Sequence, residues 1–238
     1  MGLLALKRFL HGLDSYERHY VVADFLKKSS ANSQTILDVG GETRITTNNL
    51  SYFLPNREVT TLNIIAQTGI KVEGVSLPLE DDSYDAVVSI DTIEHIPKED
   101  RKKAVSEYFR VARKEVVITG PINNEAQRQS EIRLNEQYKR LFGIDHHYVI
   151  EHLKFGDPSV SEIKELIGDR EFELVYCGEL EPIEKHIRIS FSFCPKIRPL
   201  NKLFKLIYTT FTILNYKPIK YLDEPKPNTR RFIAHIKL

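Results

Sequence analysis

Short apolar runs recur through the middle of the chain and predict buried strands. They are rich in Val and Ile, and they lie at 36–39, 59–62, 70–72, 86–90 and 116–119. Continuous apolar runs of this length, separated by polar or helical segments, are typical of parallel strands that are covered on both faces. Because connections between parallel strands are right-handed, the pattern predicts a doubly wound α/β sheet.

Helical periodicity marks segments between and around these strands. Apolar residues at helical spacing predict a helical N-terminal segment that ends at the polar stretch 29–33. The clearest helix is predicted over 98–113, directly after Pro97, which suits the first turn of a helix. One more helix and two more strands are predicted downstream, at 159–167, 172–176 and 231–236.

Two stretches interrupt the alternation of strands and helices. Residues 121–158 carry no strand signal and are too many for an ordinary loop. Residues 184–228 separate the last two predicted strands. We therefore expect an N-terminal helical segment, 1–33, followed by one α/β domain, 34–238, with insertions at 121–158 and 184–228.

The composition is that of a folded chain. Hydrophobic residues make up 41% and charged residues 28% of the 238 residues, which excludes disordered, collagen-like and coiled-coil classes. No apolar run approaches the length that crosses a bilayer, and Lys7 and Arg8 interrupt the N-terminal apolar run too early for a signal peptide. Cys177 and Cys194 cannot form a disulfide framework. We expect a cytoplasmic location.

Positive charge is concentrated in one segment although the net charge is only +1. Eight Lys or Arg residues and no Asp or Glu lie between 185 and 222, together with aromatic and aliphatic residues at helical spacing. Three interpretations remain open: a packed helix with a basic rim, peripheral contact with an anionic membrane or a lipid-linked phosphate, and nucleic-acid binding. The last is disfavoured, because no recognised nucleic-acid module surrounds the patch.

A candidate ligand site follows the first strand. There Asp38 is followed by Gly40 and Gly41, and glycines in such a turn let a ligand approach the backbone closely. The second strand ends at Asn63 and Ile64, where nucleoside-binding α/β folds read ribose hydroxyls. Two glycines also suit an ordinary strand–helix turn, so these residues alone do not establish a nucleoside site.

The stretch 76–96, SLPLEDDSYDAVVSIDTIEHI, adds a longer signal. It resembles the region around strand four of the class I S-adenosylmethionine-dependent methyltransferases, and the similarity continues to Gly120 and Pro121. It covers about Thr35 to Pro121 and is greatest to the small-molecule and glycan branch called methyltransferase type 11. The resemblance implies a Rossmann-like, mostly parallel seven-stranded sheet with an antiparallel C-terminal strand, and methyl transfer to a small-molecule, glycan or lipid-linked acceptor.

The same resemblance implies the cofactor, S-adenosylmethionine, and a set of residues that would hold it. The methionine portion is assigned to Asp38, Gly40, Gly41 and Asp91, the ribose to Asn63, and the adenine to Ile64 and Leu77. His95 follows strand four at the ligand-binding end of the sheet, where an imidazole could act as a general base on the acceptor. A packing or capping role is its alternative.

Two departures from the family pattern favour a second hypothesis. Glu42 and Arg44 occupy positions where the family's first motif has glycine, and Asn63 replaces the acid that binds the ribose. An amide oxygen accepts fewer hydrogen bonds than a carboxylate, which predicts weak ribose binding that Asn63→Asp would tighten. The alternative function is a non-catalytic scaffold on a degenerate methyltransferase fold. A nicotinamide-dependent dehydrogenase fits less well, because its glycine motif is absent.

The insertion at 121–158 contains His146, His147 and His152, with Asp145 and Glu151 beside them. No Cys accompanies them and sequence neighbours need not converge in space, so we expect no metal site here. The insertion leaves the carboxyl end of a strand, where open α/β folds bind ligands. We therefore expect it to cover the acceptor pocket.

Overall fold

The structure is a computed structural model that describes residues 13–41, 49–63, 70–72, 74–192, 207 and 219–238. The strands are β1 Thr35–Val39, β2 Glu58–Asn63, β3 Ile70–Lys71, β4 Tyr84–Ile90, β5 Ala112–Pro121, β6 Phe172–Glu179 and β7 Thr229–Lys237. The helices are α1 Leu13–Lys28, α2 Asn49–Phe53, α3 Lys98–Val111, α4 Glu125–Phe142, α5 His147–Phe155, α6 Val160–Ile167 and α7 Leu180–Ser192, and a 3₁₀ turn spans Ile93–His95.

All seven strands form one sheet in the order β3-β2-β1-β4-β5-β7-β6. The strands from β3 to β5 are parallel, and β7 is antiparallel to both β5 and β6. The reversal of strand order between β1 and β4 opens a crevice at their carboxyl ends, where ligands bind in open α/β sheets. The predicted doubly wound sheet with an antiparallel C-terminal strand is therefore confirmed.

Both faces of the sheet are covered, which explains the continuous apolar runs. One apolar core joins Leu37, Val87 and Val116 to residues of α3 and α6. The other joins Ile36, Val88 and Val117 to residues of α1 and α2. Alternate residues of a strand point to opposite faces, so a central strand must be apolar on both.

The element boundaries largely follow the sequence pattern, with two differences. Helix α3 ends at Val111, so Ala112 already belongs to β5. The insertion 121–158 is ordered as helices α4 and α5, which the sequence did not divide. Most of the insertion 184–228, with its predicted helix around 203–214, lies outside the described residues. No helix among the described residues is both long and apolar enough to cross a membrane.

Candidate active site

The predicted glycine turn lies at the reversal point of the sheet. Strand β1 pairs with β2 on one side and β4 on the other, and its last residue, Val39, leads directly into Gly40. The Gly40 amide donates to the Leu62 carbonyl at 2.7 Å, and the Thr92 hydroxyl donates to the Val39 carbonyl at 3.1 Å. These bonds hold the turn between the ends of three parallel strands.

Both residues of this turn require glycine. Gly40 has φ +80°, a left-handed conformation that L side chains rarely adopt, and a Cβ there would collide with the Thr92 side chain. A Cβ on Gly41 would collide with the carboxylate of Asp38. The turn therefore packs its backbone directly against Asp38 and Thr92, and any side chain at these two positions would displace it.

Asp38 is a buried acid that forms no ion pair with any of the described residues. Its side chain is 2% exposed, and its Oδ1 atom has no hydrogen-bond partner among the described residues. Burial raises the pKa of this carboxyl to about 7, although the charge of Arg18 opposes that shift. A cationic ligand group placed beside Asp38 would favour its ionised form, so this residue suits the ammonium end of an amino-acid ligand.

Asn63 braces the turn, a role that the sequence did not indicate. Its side-chain amide nitrogen donates to the carbonyls of Gly40 and Gly41, at 3.0 Å each. A carboxylate at position 63 would face these two carbonyl oxygens and could not donate to either. These bonds give Asn63 a role in shaping the turn, and the ribose contact that the resemblance implies stays a prediction.

The remaining predicted cofactor residues divide into three cases. Ile64 lies outside the described residues. Leu77 is 7% exposed, and its backbone N–H donates to Glu107 at 2.9 Å, which fixes the segment before β4. Asp91 follows β4 with φ +48°. Its carboxylate accepts from Arg18 at 3.1 Å and from both terminal nitrogens of Arg231, which holds its pKa well below the usual range despite burial.

His95 takes part in a network that reaches into the insertion. Its Nδ1 lies 2.8 Å from a Glu151 carboxylate oxygen, and its Nε2 lies 3.2 Å from the Nε2 of His152. His152 in turn has its Nδ1 2.8 Å from a Glu131 oxygen. Both ring nitrogens of the predicted general base are therefore engaged, and a base role would require His95 and His152 to separate.

Sequence analysis did not bring these residues together. His152 was considered with His146 and His147, its neighbours in the chain. The structure instead uses His146 to cap α5, where its ring accepts from Val149, and leaves His147 largely exposed. Only the fold of the insertion places α5 against the 3₁₀ turn that holds His95, and neither spacing nor composition carries that information.

Glu94 is the most deeply enclosed acid of this network. It has no exposed surface, and neither carboxylate oxygen has a hydrogen-bond partner among the residues that the structure describes. Burial, reinforced by the charge of Asp91, raises the pKa of Glu94 to about 8. Burial lowers the pKa of His152, but the bond to Glu131 and the charge of Glu94 outweigh it and raise the value to about 9.

A polar cavity of about 420 Å³ adjoins this network. It lies between the start of α3 and the helices α4 and α5 of the insertion. Its walls carry basic, acidic and amide side chains, among them Lys98, Asn123, Arg128, Glu131, His152 and Asp157. The volume falls within the range of small-molecule pockets, roughly 300–1,000 Å³.

Comparison with known proteins agrees with the fold. Residues 37–119 match a family model described as a methyltransferase domain, Methyltransf_11. No curated protein matches the chain by sequence. Many solved structures do resemble it, and at these low identities they show the fold alone.

Three of these structures are described as methyltransferases. The first is a SAM-dependent methyltransferase from Thermotoga maritima, described as a possible histamine N-methyltransferase. It is 16% identical to this chain with a TM-score of 0.52, and the alignment covers 97% of this chain and 98% of that chain. The second is a SAM-dependent methyltransferase from Archaeoglobus fulgidus. It is 14% identical with a TM-score of 0.50, and the alignment covers 92% of this chain and 94% of that chain. The third is phospholethanolamine N-methyltransferase 2 from Haemonchus contortus, in complex with phosphomonomethylethanolamine and S-adenosylhomocysteine. It is 14% identical with a TM-score of 0.51, and the alignment covers 92% of this chain and 52% of that chain.

The family match identifies residues 37–119 as a methyltransferase domain, and the sheet order and the glycine turn at the reversal point agree with it. These findings support a class I S-adenosylmethionine-dependent methyltransferase with S-adenosylmethionine as its cofactor. The described residues fit that molecule, since Asp38 offers a buried carboxylate oxygen without a partner among them, and Gly40 and Gly41 leave no side chain between backbone and ligand. The family match over this region supports an enzyme over the non-catalytic scaffold.

Proposed function

We propose that the acceptor is a small, polar molecule with several hydroxyl groups, either free or as the sugar portion of a glycan or lipid-linked compound. The observation that supports this is the polar cavity beside His95 and His152. Its mixture of basic, acidic and amide side chains matches alternating donors and acceptors, such as sugar hydroxyls, better than it matches an apolar ring system.

Within this proposal the cofactor residues keep the roles that the resemblance implies, with one change. Asp38 binds the amino group, Gly40 and Gly41 line the methionine portion with Asp91 on its other side, and Leu77 and Ile64 border the adenine. Asn63 supports the ribose site by holding the Gly40–Gly41 turn in shape, rather than by acting as a carboxylate substitute.

The transfer itself is an in-line displacement. When bound, S-adenosylmethionine would supply the methyl group: the acceptor oxygen would bond to the methyl carbon as the carbon–sulfur bond breaks, the electron pair would stay on the sulfur of S-adenosylhomocysteine, and the hydroxyl proton would pass to water. The sulfonium is already a good leaving group, so alignment of donor and acceptor is the main task of the protein. Two contacts support this arrangement: Thr92 bonds to the glycine turn three residues before His95, and His95 contacts His152, which lines the cavity.

Transfer of a labelled methyl group from S-adenosylmethionine to panels of free sugars, glycans and lipid-linked sugars tests this proposal. With the best acceptor, Arg128→Ala should raise KM severalfold and leave the Kd for S-adenosylmethionine unchanged, because Arg128 lines the cavity and belongs to α4, whereas the glycine turn follows β1. Arg140→Ala on the same helix, at an exposed position outside the cavity, is the matched control. Exclusive activity on apolar acceptors, or equal effects of the two variants, would contradict the proposal.

We also propose that the basic segment 185–222 contacts an anionic surface, which would suit a lipid-linked acceptor. Lys185 and Arg188 lie on α7, and Ile207 is 57% exposed; most of the segment lies outside the described residues. Each basic residue near an anionic membrane can contribute about 1 kcal/mol, and salt weakens the attraction. We expect the protein to bind anionic vesicles at low salt and to lose this binding at high salt. Neutral vesicles should not bind it. Absence of binding at low salt would contradict it, and salt-sensitive binding to RNA or DNA would favour the nucleic-acid interpretation.

A further inference from the structure

Two histidine nitrogens face each other in the site, and the contact is favourable only with a proton or a cation between them; a protonated ring supplies the one, and a bound metal ion can replace it. Carboxylates only accept hydrogen bonds, so the Nδ1 atoms of His95 and His152 donate to Glu151 and Glu131 respectively. In neutral rings the opposing Nε2 atoms, 3.2 Å apart, then both present lone pairs. Two acceptors at this distance repel each other unless a proton or a cation lies with them.

The separation of these nitrogens matches that of neighbouring ligands around one metal ion. Nitrogen ligands about 2.0–2.1 Å from zinc in tetrahedral geometry lie roughly 3.3 Å apart. Metal-bound histidines commonly donate their second ring N–H to a carboxylate, which fixes the ring and strengthens the ligand. Glu151 and Glu131 make these supporting bonds in the structure.

Glu94 supplies a third, independent observation. Its carboxylate is fully buried with both oxygens unpartnered among the described residues, an expensive arrangement for a polar group. One of its oxygens and one ring nitrogen of each of the two histidines lie within 4.8 Å of one another. An unsatisfied carboxylate oxygen therefore lies in the same small space as the two imidazoles.

We propose that Glu94, His95 and His152 bind one divalent transition-metal ion, of the zinc class of borderline cations. Two imidazole nitrogens and one carboxylate oxygen form a ligand set that such ions favour, and three protein ligands leave a coordination position open, as catalytic sites do. His152 also lines the polar cavity, so the open position faces the proposed acceptor site. This assignment replaces the earlier expectation that the histidines of the insertion bind no metal.

The role of the ion rests on the proposed function, whereas its binding does not. A hydroxyl of the acceptor that occupied the open position would lose its proton to water more readily, because a bound cation lowers the pKa of coordinated oxygen. His95 would then be a metal ligand, and a general base would not be needed.

Metal titration of the chelator-treated full chain tests the site. We expect calorimetry with Zn²⁺ to show one ion per chain, and X-ray absorption of the zinc-loaded wild-type protein to show two imidazoles in the coordination shell. His152→Gln and Glu94→Gln should each weaken zinc binding at least about tenfold. His147→Gln is the matched control, since His147 is an exposed histidine of the same helix and should leave the affinity unchanged.

Several outcomes would overturn the proposal. They are absence of saturable zinc binding by the wild-type chain, a coordination shell without two imidazoles, and equal losses of affinity in His152→Gln and His147→Gln. The absorption measurement needs no variant, so misfolding of Glu94→Gln leaves the test intact. A separate calorimetric titration with S-adenosylmethionine distinguishes failure of the metal site from failure of the proposed function.

Discussion

At the scale of single residues, the site depends on side chains whose surroundings decide their chemistry. Asp38, Gly40 and Gly41 could be predicted from the sequence, because a strand that ends in glycines is a local pattern. The task of Asn63 could not, because its bonds are to carbonyls more than twenty residues earlier in the chain. A motif shows which residue type occupies a position but does not show what lies opposite it.

Asn63→Asp should therefore weaken cofactor binding, contrary to the expectation from sequence. The substitution removes two hydrogen bonds, each contributing about 1 kcal/mol, and places a negative charge against two carbonyl oxygens. We expect the Kd for S-adenosylmethionine to rise about tenfold or more and the free energy of unfolding to fall by about 2 kcal/mol. Calorimetry and urea denaturation measure these quantities. Tighter binding would restore Asn63 as a simple ribose ligand.

Asp38→Asn should raise the free energy of unfolding at high pH and at the same time weaken the binding of S-adenosylmethionine. The folded-state pKa of Asp38, about 7, lies above the ordinary aspartate pKa of 3.8, so the unliganded protein loses stability as pH rises from 3.8 through about 7. The variant removes this loss and should be more stable than wild type at pH 8, on the order of 1 kcal/mol or more, with a smaller difference at pH 5. It should also bind S-adenosylmethionine more weakly. Urea denaturation at pH 5 and pH 8 measures the difference in free energy of unfolding between the variant and the wild type. An equal difference at both pH values would contradict the raised pKa of Asp38.

At the scale of elements, alternating apolar runs and helical segments were enough to predict the sheet. Strands β1 and β4 could be placed because each is a continuous apolar run that is buried on both faces. Helices α4 and α5 were harder, since their residues are mostly polar and their packing depends on partners in other elements. Arg101 is one such partner: fully buried, it donates to the carbonyls of Ile96 and Gly156 and to Glu162, which ties the start of α3 to α5 and α6.

Asp85 is expected to stabilise the amino ends of the strands without affecting the site. Bonds from the Gln34 amide, Arg113 and Lys114 outweigh burial and hold its pKa well below the usual range. Asp85→Ala leaves a buried backbone donor without its partner and should cost about 2–3 kcal/mol. The stabilisation is present above the ordinary aspartate pKa of 3.8 and is lost as pH falls below it. Urea denaturation should show a smaller difference in free energy of unfolding between wild type and variant at pH 3 than at pH 7. A changed Kd for S-adenosylmethionine in the variant would contradict a purely stabilising role of Asp85.

At the scale of the whole molecule, the site is assembled from distant parts of the chain. Glu94 and His95 follow β4, His152 comes from α5, and the Arg231 that neutralises Asp91 comes from β7. Sequence analysis reached the class of enzyme because the signals for the cofactor turn are local. It missed the cluster around His95 because contacts between residues far apart in sequence arise only from the fold.

Calorimetric titration tests most directly whether the turn at Gly40 and Gly41 binds S-adenosylmethionine. The wild-type chain should bind S-adenosylmethionine and S-adenosylhomocysteine at one site. Gly41→Leu should lose both, because its side chain would collide with Asp38, while Arg140→Ala, on the exposed face of α4, should bind like wild type. Absence of binding by the folded wild-type chain at millimolar cofactor, or unchanged binding by a folded Gly41→Leu variant, would contradict the account.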